Sequence, residues 1–260
     1  MGAQNDATEA PPVTKTDQAP TPVEQNDPAP QLEVYANIFA TFAKRIQLVG
    51  FDQAVAMVAM RDTVFEGAQG VLIDQDYGFA PYTTWSDTTL AHARSLAEEA
   101  GVRHVVRVGV TRPYMVRHGP GPLPTGPCAL GRPMAPPWSD HNLDNEWQGA
   151  LRRGWLDLPA LRYALSAVGG VDFLAVTHAD EIQSFFGAWN VGVSDGPSDP
   201  WQDLAGEERT TAFHAHSPIY DIWPKDMYLH RMAEGLGTPV GIETWGPAVG
   251  DKIVYNIPGL

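Results

Sequence analysis

The 260-residue chain is 43% apolar and carries 17 basic against 31 acidic residues, a net charge of −14. This length suffices for a sizeable buried core, and the charge disfavours nucleic acid or an anionic membrane surface as a general partner. The single Cys128 excludes a framework of disulfides within the chain. No apolar run reaches membrane-spanning length and the N-terminus lacks the apolar core of a signal peptide, so we expect a cytoplasmic protein.

The first thirty residues differ in composition from the rest of the chain. They contain six prolines, five acidic residues, one lysine and no aromatic residue. Such a segment buries too little apolar surface to offset the entropy lost on ordering. We therefore expect residues 1–30 to form a disordered tail and residues 31–260 to form the folded domain.

Apolar residues recur at helical spacing in some segments and in short continuous runs in others. The helical pattern predicts helices within residues 31–49, 86–101, 157–170 and 226–237. The short runs predict strands within residues 62–67, 104–110, 171–180 and 239–247. Helices and strands in this order are typical of an α/β fold, with a central, mostly parallel sheet, flanking helices and ligands at the carboxyl ends of the strands.

Capping residues set the expected ends of two of these helices. A side-chain oxygen at the N-cap accepts a hydrogen bond from a backbone N–H of the first turn. Ser86 or Asp87 is the expected N-cap of one helix, with Gly101 beyond its end, and Asp157 is the expected N-cap of the next.

Three further segments carry polar groups of interest. Residues 64–89, "VFEGAQGVLIDQDYGFAPYTTWSDTT", combine a carboxylate, an amide, glycines and hydroxyls, which indicates a polar ligand. Residues 117–142 are too rich in proline and glycine for a regular element and predict a long loop, and long loops often carry function. The segment "FHAH" predicts His214 and His216 on one face of a strand, but no third ligand has clear spacing, so a structural role is favoured and no metal site is expected.

Polar residues end two of the predicted strands, at residues 177–180 and 244–246. The carboxyl ends of parallel strands share one edge of a sheet, so these segments could lie side by side. The carboxylate of Asp180 can accept two parallel hydrogen bonds from the N1 and N2 donors of guanine, which adenine does not offer. The alternative is that Asp180 caps the next turn.

Several motifs together resemble those of a known family. The segments "FEGAQGVLIDQDYGFAPYTTWSDTT", "RHGPGPLPT", "GWLD", "VTHAD", "SPIYDIWP" and "ETWGP" occur in the order in which adenylosuccinate synthetases carry their equivalents. The resemblance covers residues 32–254. Through "PYTTWS" and "HNLDNEWQGALRRGWLD", the chain is also similar to the compact branch that includes phage enzymes making 2-aminoadenylosuccinate.

The resemblance implies a GTP-dependent C–N ligase of purine nucleotide biosynthesis. Such an enzyme phosphorylates the 6-oxygen of IMP, or of dGMP in the phage-type branch, and aspartate then displaces the phosphate at C6. The resemblance implies GTP (or ATP) and Mg²⁺ as cofactors, purine nucleotide and aspartate as ligands, and a homodimer with a composite site. The function of a non-catalytic purine-nucleotide-binding or interaction module stays open as the alternative.

The resemblance also assigns roles to individual residues. Gln69 matches the glutamine that holds the 6-oxygen edge of the purine, and Thr84 matches a threonine that helps to bind the nucleotide phosphate. Arg152 and Arg153 match residues that bind aspartate. The residues that match the GTP site are Thr177, His178, Asp180, Thr244 and Gly246. Alternatively, Gln69 stabilises its own turn and the GTP-site residues are strand-end structure.

The chain departs from the family pattern before its Gly-Trp pair. The family has a run of arginines there, whereas only Arg152 and Arg153 precede Gly154 in this chain. We expect Asn142, Gln148 and Arg152 to supply the purine nucleotide contacts instead. A second departure is His178, which stands where the usual pattern has lysine.

A third departure is that the chain lacks the segment with which the family begins. The family begins with a glycine-rich phosphate loop, whose aspartate acts as the base and ligates Mg²⁺, followed by a histidine that assists phosphoryl transfer. No lysine of this chain lies in such a loop, and no Mg²⁺ ligands are found. The sequence therefore predicts the C-terminal part of the family's P-loop-ligase-like fold, incomplete as a catalyst, from a truncated gene, a split gene or a non-catalytic relative. A homodimer or a separately encoded N-terminal half are the expected alternatives for a protein partner.

Overall fold

The computed structural model describes residues 29–126, 146–147, 149–184, 189–193 and 200–257. The chain divides into two compact units, Met1–Gly50 and Phe51–Leu260. Most of the tail predicted over residues 1–30 lies outside the described residues.

Seven α-helices and nine strands lie within the described residues. The helices are α1 Ala29–Ala43, α2 Phe51–Met60, α3 Ala91–Glu99, α4 Leu158–Ala167, α5 Asp180–Ser184, α6 Gly206–Ala215 and α7 Tyr228–Leu236. The strands are β1 Val108–Thr111, β2 Met115–His118, β3 Leu151–Gly154, β4 Leu156–Asp157, β5 Phe173–Val176, β6 Trp189–Val193, β7 Ile219–Trp223, β8 Val240–Thr244 and β9 Lys252–Val254. Short 3₁₀ helices span Val71–Ile73, Pro200–Asp203 and Lys225–Met227.

The first unit is described from α1 onward. The helix predicted over residues 31–49 is confirmed, although it begins at Ala29 and ends at Ala43. Its apolar residues Leu32, Tyr35 and Phe39 are exposed.

The central sheet of the second unit has the strand order β1-β5-β8-β9. Strands β1, β5 and β8 are parallel, and β9 pairs with β8 in the antiparallel direction. All four residues of β5 are buried, as expected for a parallel strand with both faces covered. The predicted α/β fold with a mostly parallel sheet is confirmed, and the carboxyl ends of β5 and β8 lie beside each other.

Helices α4 and α7 pack with β5 around the main hydrophobic core. This core includes Leu158, Val176, Tyr228 and Met232, each at most 2% exposed. Asp157 Oδ1 accepts a hydrogen bond from Ala160 N at 3.0 Å, which confirms the predicted cap of α4. One face of α7 is buried. The helix is capped at its C-terminus by Gly237, which has a left-handed backbone conformation.

Two smaller sheets flank this core. Strands β2 and β3 form an antiparallel pair, in which Arg117 is opposite Arg152 and Val116 is opposite Arg153. Strands β4, β6 and β7 form a three-stranded sheet, in which β4 and β6 are parallel. The two arginines before the Gly-Trp pair are therefore held on a strand.

Three local predictions are wrong. No strand forms over residues 62–67, where Val64 is 91% exposed and has no partner strand. Helix α3 begins at Ala91 with Leu90 at its N-cap, because Asp87 Oδ1 instead accepts hydrogen bonds from the backbone N–H and hydroxyl of Thr89 in a preceding turn. The predicted strand at "FHAH" is the end of α6, so its two histidines do not share a strand face.

The helices of the described residues offer no membrane span, since none of them is both long and apolar enough.

Candidate functional site

Gln69 begins the polar loop over residues 69–89 in an unusual backbone conformation. Its φ is +67°, a left-handed value that is uncommon for a residue other than glycine. Ser86 Oγ donates a hydrogen bond to Gln69 Oε1 at 3.3 Å. This bond holds the oxygen of the amide, so the amide hydrogens are left to donate to another group.

Thr84 is brought to the same place by the loop backbone. Thr84 N donates to Ile73 O at 2.7 Å, and the Thr84 hydroxyl lies 3.5 Å from Ser86 Oγ. The two predicted purine-nucleotide residues of this loop, Gln69 and Thr84, therefore flank one serine despite their separation in sequence.

A buried carboxylate, which the sequence analysis missed, organises the loop from inside. Asp74 is 1% exposed and accepts hydrogen bonds from Thr88 N at 2.6 Å, Asp76 N at 2.8 Å, Tyr77 N at 3.0 Å and Thr88 Oγ1 at 3.2 Å. Burial alone would raise the pKa of Asp74, but these hydrogen bonds outweigh it, and the pKa lies below its ordinary value. Asp74 therefore joins the two ends of the loop as a stable carboxylate.

Helix α6 clamps the outer side of this loop. Arg209, which is 7% exposed, donates through Nη1 to Tyr77 O at 2.9 Å and to Asp76 O and Gly78 O at 3.4 Å each. Its guanidinium also lies 5.0 Å from the centroid of the Tyr163 ring. The loop over residues 69–89 is therefore held between a buried anion and a buried cation.

Other side chains reinforce the same clamp. Thr210 Oγ1 donates to Ala80 O at 2.6 Å, and Tyr163 OH donates to Tyr77 O at 2.7 Å. Burial raises the pKa of the Tyr163 hydroxyl, which remains a donor. These contacts could not be predicted from the sequence, because α6 was not predicted as a helix.

Two arginines on the β2–β3 pair organise the neighbouring turn. Arg152 donates through Nη2 to Gly119 O at 2.6 Å and to Gly121 O at 2.8 Å. Arg117 donates through Nη2 to Tyr82 O at 2.7 Å, which links β2 to the loop over residues 69–89. Burial, then the charge of Arg152, lowers the pKa of Arg117 to about 10.

Arg153 alternates with Arg152 along β3 and is buried. Its guanidinium lies 6.0 Å from the centroid of the Tyr114 ring. The same ring meets His178 edge to face, at 6.3 Å between centroids. Tyr114 therefore lies between a predicted aspartate-binding residue and a predicted GTP-binding residue.

The predicted adjacency of the two strand ends is confirmed. Ala179 N donates to Thr244 O at 2.9 Å, which joins residues 177–180 to residues 244–246. Thr177 N donates to Thr111 O at 2.8 Å, and His178 has a left-handed φ of +59°. Asp180 follows as the first residue of α5.

Glu243 lies behind the second of these segments and was also missed by the sequence analysis. It is 7% exposed and accepts hydrogen bonds from Trp245 Nε1 at 3.0 Å and from Tyr255 OH at 2.6 Å. The hydrogen bond to Glu243, then burial, raises the pKa of Tyr255.

Two predicted contacts, Asn142 and Gln148, lie outside the described residues, and so does Cys128. Within the part of the chain that the structure describes, no three or more His, Cys, Asp or Glu side chains are grouped so that they could hold a metal ion.

Comparison with known proteins confirms the predicted family resemblance. The family model for adenylosuccinate synthetase matches residues 13–193, which is more than half of the chain. The chain belongs to the adenylosuccinate synthetase family.

Individual relatives are similar to the chain over only part of their length. An adenylosuccinate synthetase of Desulforudis audaxviator is 30% identical over 253 residues, 85% of this chain and 55% of the relative. One of Francisella tularensis subsp. novicida (strain U112) is 39% identical over 133 residues, 50% of this chain and 29% of the relative. The chain therefore spans less than two thirds of these relatives.

A solved structure supports the same fold. The fully ligated adenylosuccinate synthetase of Plasmodium falciparum aligns with a TM-score of 0.63 and 20% identity, over 90% of this chain and 59% of that protein. The succinoaminodeoxyadenylate synthetase of cyanophage S-2L aligns with a TM-score of 0.44 and 18% identity, over 80% of this chain and 51% of that protein. These comparisons do not specifically favour the phage-type branch.

Proposed function

We propose that this chain supplies nucleotide recognition to an adenylosuccinate synthetase-type, GTP-dependent ligase that joins aspartate to C6 of a purine nucleotide. The observation that carries this proposal is the hydrogen bond between Ala179 N and Thr244 O, which joins the carboxyl ends of β5 and β8. Ligands of open α/β sheets bind outside such strand ends.

In this proposal, the two strand ends hold the guanine base of GTP. The carboxylate of Asp180 accepts hydrogen bonds from N1–H and N2–H of guanine, a charge-assisted pair that excludes adenine. The segment over residues 244–246 borders the base from the β8 side, and the His178 ring stacks on its face. The left-handed backbone of His178, held beside Tyr114, fits a functional position better than a regular strand end.

The loop over residues 69–89 is the proposed acceptor site. Gln69 donates an amide hydrogen to the purine 6-oxygen as that oxygen gains negative charge, and Thr84 binds the nucleotide phosphate. The orientation of the Gln69 amide, with its oxygen held by Ser86, supports a donor role. Asp74 and Arg209 hold the loop rigid, so little ordering is needed when the nucleotide binds.

Arg152 and Arg153 are the proposed aspartate contacts. The Arg152 bonds to Gly119 O and Gly121 O use Nε and Nη2, which leaves Nη1 to bind a carboxylate. Asn142 and Gln148 remain proposed contacts of the purine nucleotide. The choice between IMP and dGMP, and the phage-type branch itself, rests on the sequence motifs alone.

The family implies that Mg²⁺ accompanies GTP. The described residues offer no cluster of acidic side chains that fits this ion, so no step of the proposal is routed through it. Because the chain spans less than two thirds of its relatives, nucleotide binding is a sharper test of this chain than turnover. A binding module without catalysis would pass the same test.

Asp180→Asn tests the guanine site. Wild-type protein should bind GDP more tightly than ADP, and the variant should bind GDP about tenfold more weakly, because one charge-assisted acceptor is replaced by a donor. ADP affinity should stay unchanged. Calorimetry with both nucleotides measures the difference, and Asp203→Asn, at an exposed position that ends a 3₁₀ helix, provides the same change of charge as a control. Equal weak binding of GDP and ADP by the wild-type protein would contradict the proposal.

Gln69→Ala tests the acceptor site. The variant should bind IMP or dGMP more weakly by about 1 kcal/mol, the usual net contribution of one hydrogen bond, and its melting temperature should stay nearly unchanged. Gln69→Gly is a second variant, because glycine adopts the observed φ of +67° without strain. Calorimetry and thermal unfolding are measured on the same samples. A lower melting temperature with unchanged affinity would show that Gln69 only stabilises its turn.

A further inference from the structure

We propose that Glu243 is a positioning residue that sets the guanine preference of the nucleotide site, acting through the turn that follows β8. This inference rests on the proposed function. Glu243 directly precedes Thr244, and successive side chains along a strand point to opposite faces. Glu243 therefore supports the predicted guanine segment from behind without facing the base.

The Glu243 carboxylate joins two aromatic side chains from different parts of the chain. Trp245 belongs to the turn itself, whereas Tyr255 follows β9, the strand that leaves the turn. Both donate to the same buried carboxylate, at 3.0 Å and 2.6 Å. One side chain thus ties the start of the turn to the residue that follows the returning strand.

The turn is closed from its other end by Asp251. Trp245 N donates to Asp251 O at 2.7 Å, and Ala248 N donates to Asp251 Oδ2 at 2.9 Å. A Cβ atom at Gly246 would lie only 2.5 Å from Asp251 Oδ2. The backbone of Gly246 is therefore placed by Trp245 on one side and by Asp251 on the other, so a shift of Trp245 moves Gly246.

A cavity beside the cluster explains why hydrogen bonds are needed to hold these rings. It has a volume of about 430 Å³ and lies between α5, α7 and β8. The residues that line it include Ile182, Leu229, Ala233, Glu243, Trp245 and Tyr255. Close packing normally fixes a ring in a protein interior, but Tyr255 is 44% exposed and both rings border this open space. The carboxylate therefore supplies the orientation that packing does not.

The choice of a carboxylate at this position also has a cost. Burying an ionised group requires its hydration to be replaced by hydrogen bonds, and an apolar residue would avoid that cost. Glu243 has two such bonds, both to rings of the turn region. The orientation of those rings is the contribution that an apolar residue could not make.

Glu243 influences the proposed guanine site through the contact between the two strand ends. Thr244 O accepts the hydrogen bond from Ala179 N, one residue before Asp180, so the two sides of the proposed base site are coupled at this point. Guanine uses the Asp180 carboxylate and the 244–246 segment together, whereas adenine cannot pair with Asp180. Disorder of the turn should therefore weaken the binding of guanine nucleotides more than the binding of adenine nucleotides.

The test compares GDP and ADP binding by the full chain, using Glu243→Leu and Glu243→Gln. Glu243→Leu should bind GDP about tenfold more weakly while its ADP affinity changes less than about twofold, because small displacements in a preorganised site have large effects. Glu243→Gln keeps one acceptor oxygen and should lie between the wild type and Glu243→Leu. Unchanged GDP affinity in Glu243→Leu, or equal losses for GDP and ADP, would overturn the proposal.

A matched pair of tyrosine variants separates positioning from stability. Tyr255→Phe and Tyr228→Phe each remove a hydroxyl hydrogen bond of 2.6 Å, to Glu243 and to Pro113 O respectively. Both should lower the melting temperature, but only Tyr255→Phe should reduce the ratio of GDP to ADP affinity. An equal reduction of the ratio of GDP to ADP affinity in both variants would show that the ratio only follows overall stability. That result would overturn the positioning role.

Hydrogen exchange without nucleotide separates this inference from the proposed function. Faster exchange of the amides of residues 245–251 in Glu243→Leu supports the role of Glu243 in ordering the turn, whereas unchanged exchange overturns it. If wild-type protein does not prefer GDP, the proposed function fails, and the exchange result still decides whether Glu243 orders the turn. If wild-type protein prefers GDP and Glu243→Leu keeps that preference, only the inference fails.

Discussion

Replacing Asp74 with alanine should lower the free energy of unfolding by about 4 kcal/mol, at the upper end of the range for single substitutions. The carboxylate accepts four hydrogen bonds while only 1% exposed. Its removal leaves the N–H groups of Asp76, Tyr77 and Thr88 without their acceptor inside the protein. The same variant should lose affinity for the acceptor nucleotide, because Gln69 and Thr84 lie on the loop that Asp74 closes.

Asp76→Ala is the control for this prediction. Asp76 is an exposed neighbour whose side chain accepts one bond of 3.3 Å from Gln75 Nε2. Its removal should change the stability by less than about 0.5 kcal/mol. Urea unfolding of both variants gives the comparison. A loss of stability in Asp74→Ala no larger than that in Asp76→Ala would show that the loop does not depend on the buried carboxylate.

The lowered pKa of Asp74 also predicts how stability depends on pH. A carboxylate with a folded-state pKa below its unfolded value contributes its stability above the unfolded pKa and loses it as the pH falls through the folded pKa. The pKa of Asp74 lies below the ordinary value of 3.8. The stability difference between wild type and Asp74→Asn should therefore be constant above about pH 5 and shrink below about pH 4. A difference that stays constant down to pH 2 would contradict the prediction.

The sequence predicts strands β5 and β8 of the central sheet well because their signals are local. Strands β5 and β8 are short apolar runs followed by polar residues, and Asp157 provides a side-chain cap for α4. The neighbouring position of the two strand ends follows from the rule for parallel sheets, and the bond between Ala179 N and Thr244 O confirms it. These features need only a few consecutive residues to be recognised.

Helix α6 shows why other parts could not be predicted. Its sequence, "GEERTTAFHA", has no continuous apolar stripe, and its buried residues are Arg209, Thr210 and Phe213. Two of the three are polar because they bond to carbonyl groups of a loop more than 120 residues earlier in the chain. A pattern of apolar residues cannot report such long-range partners, which are the ones that shape the candidate acceptor site.

The prediction of a strand over residues 62–67 is wrong for the opposite reason: the local pattern is present, but the long-range partner is not. Its apolar residues satisfy the local pattern, yet Val64 is 91% exposed and no neighbouring strand pairs with it. A strand needs a partner, and the sequence of one segment does not specify whether a partner exists. Asp74 and Glu243 were missed for a related reason, since the importance of each depends on donors from other segments.

Replacing Arg209 with methionine should lower the free energy of unfolding by about 3 kcal/mol. Methionine keeps much of the apolar stem but removes the donors to Leu204 O, Tyr77 O and the adjoining carbonyls, and it removes the cation next to the Tyr163 ring. Arg209→Lys keeps the charge without the planar fork and should therefore have an intermediate stability.

The Arg209 variants also separate loop rigidity from global stability. Arg94→Met changes an exposed arginine on α3 and should leave both stability and acceptor binding unchanged. In Arg209→Met, affinity for IMP or dGMP should fall, while affinity for GDP at the β5 and β8 strand ends should be retained, because those ends do not contain the carbonyls that Arg209 holds. Urea unfolding and calorimetry with both nucleotides provide the test. If Arg209→Met lowers the free energy of unfolding by less than about 1 kcal/mol, or weakens GDP binding as much as acceptor-nucleotide binding, then the guanidinium does not hold the loop in place.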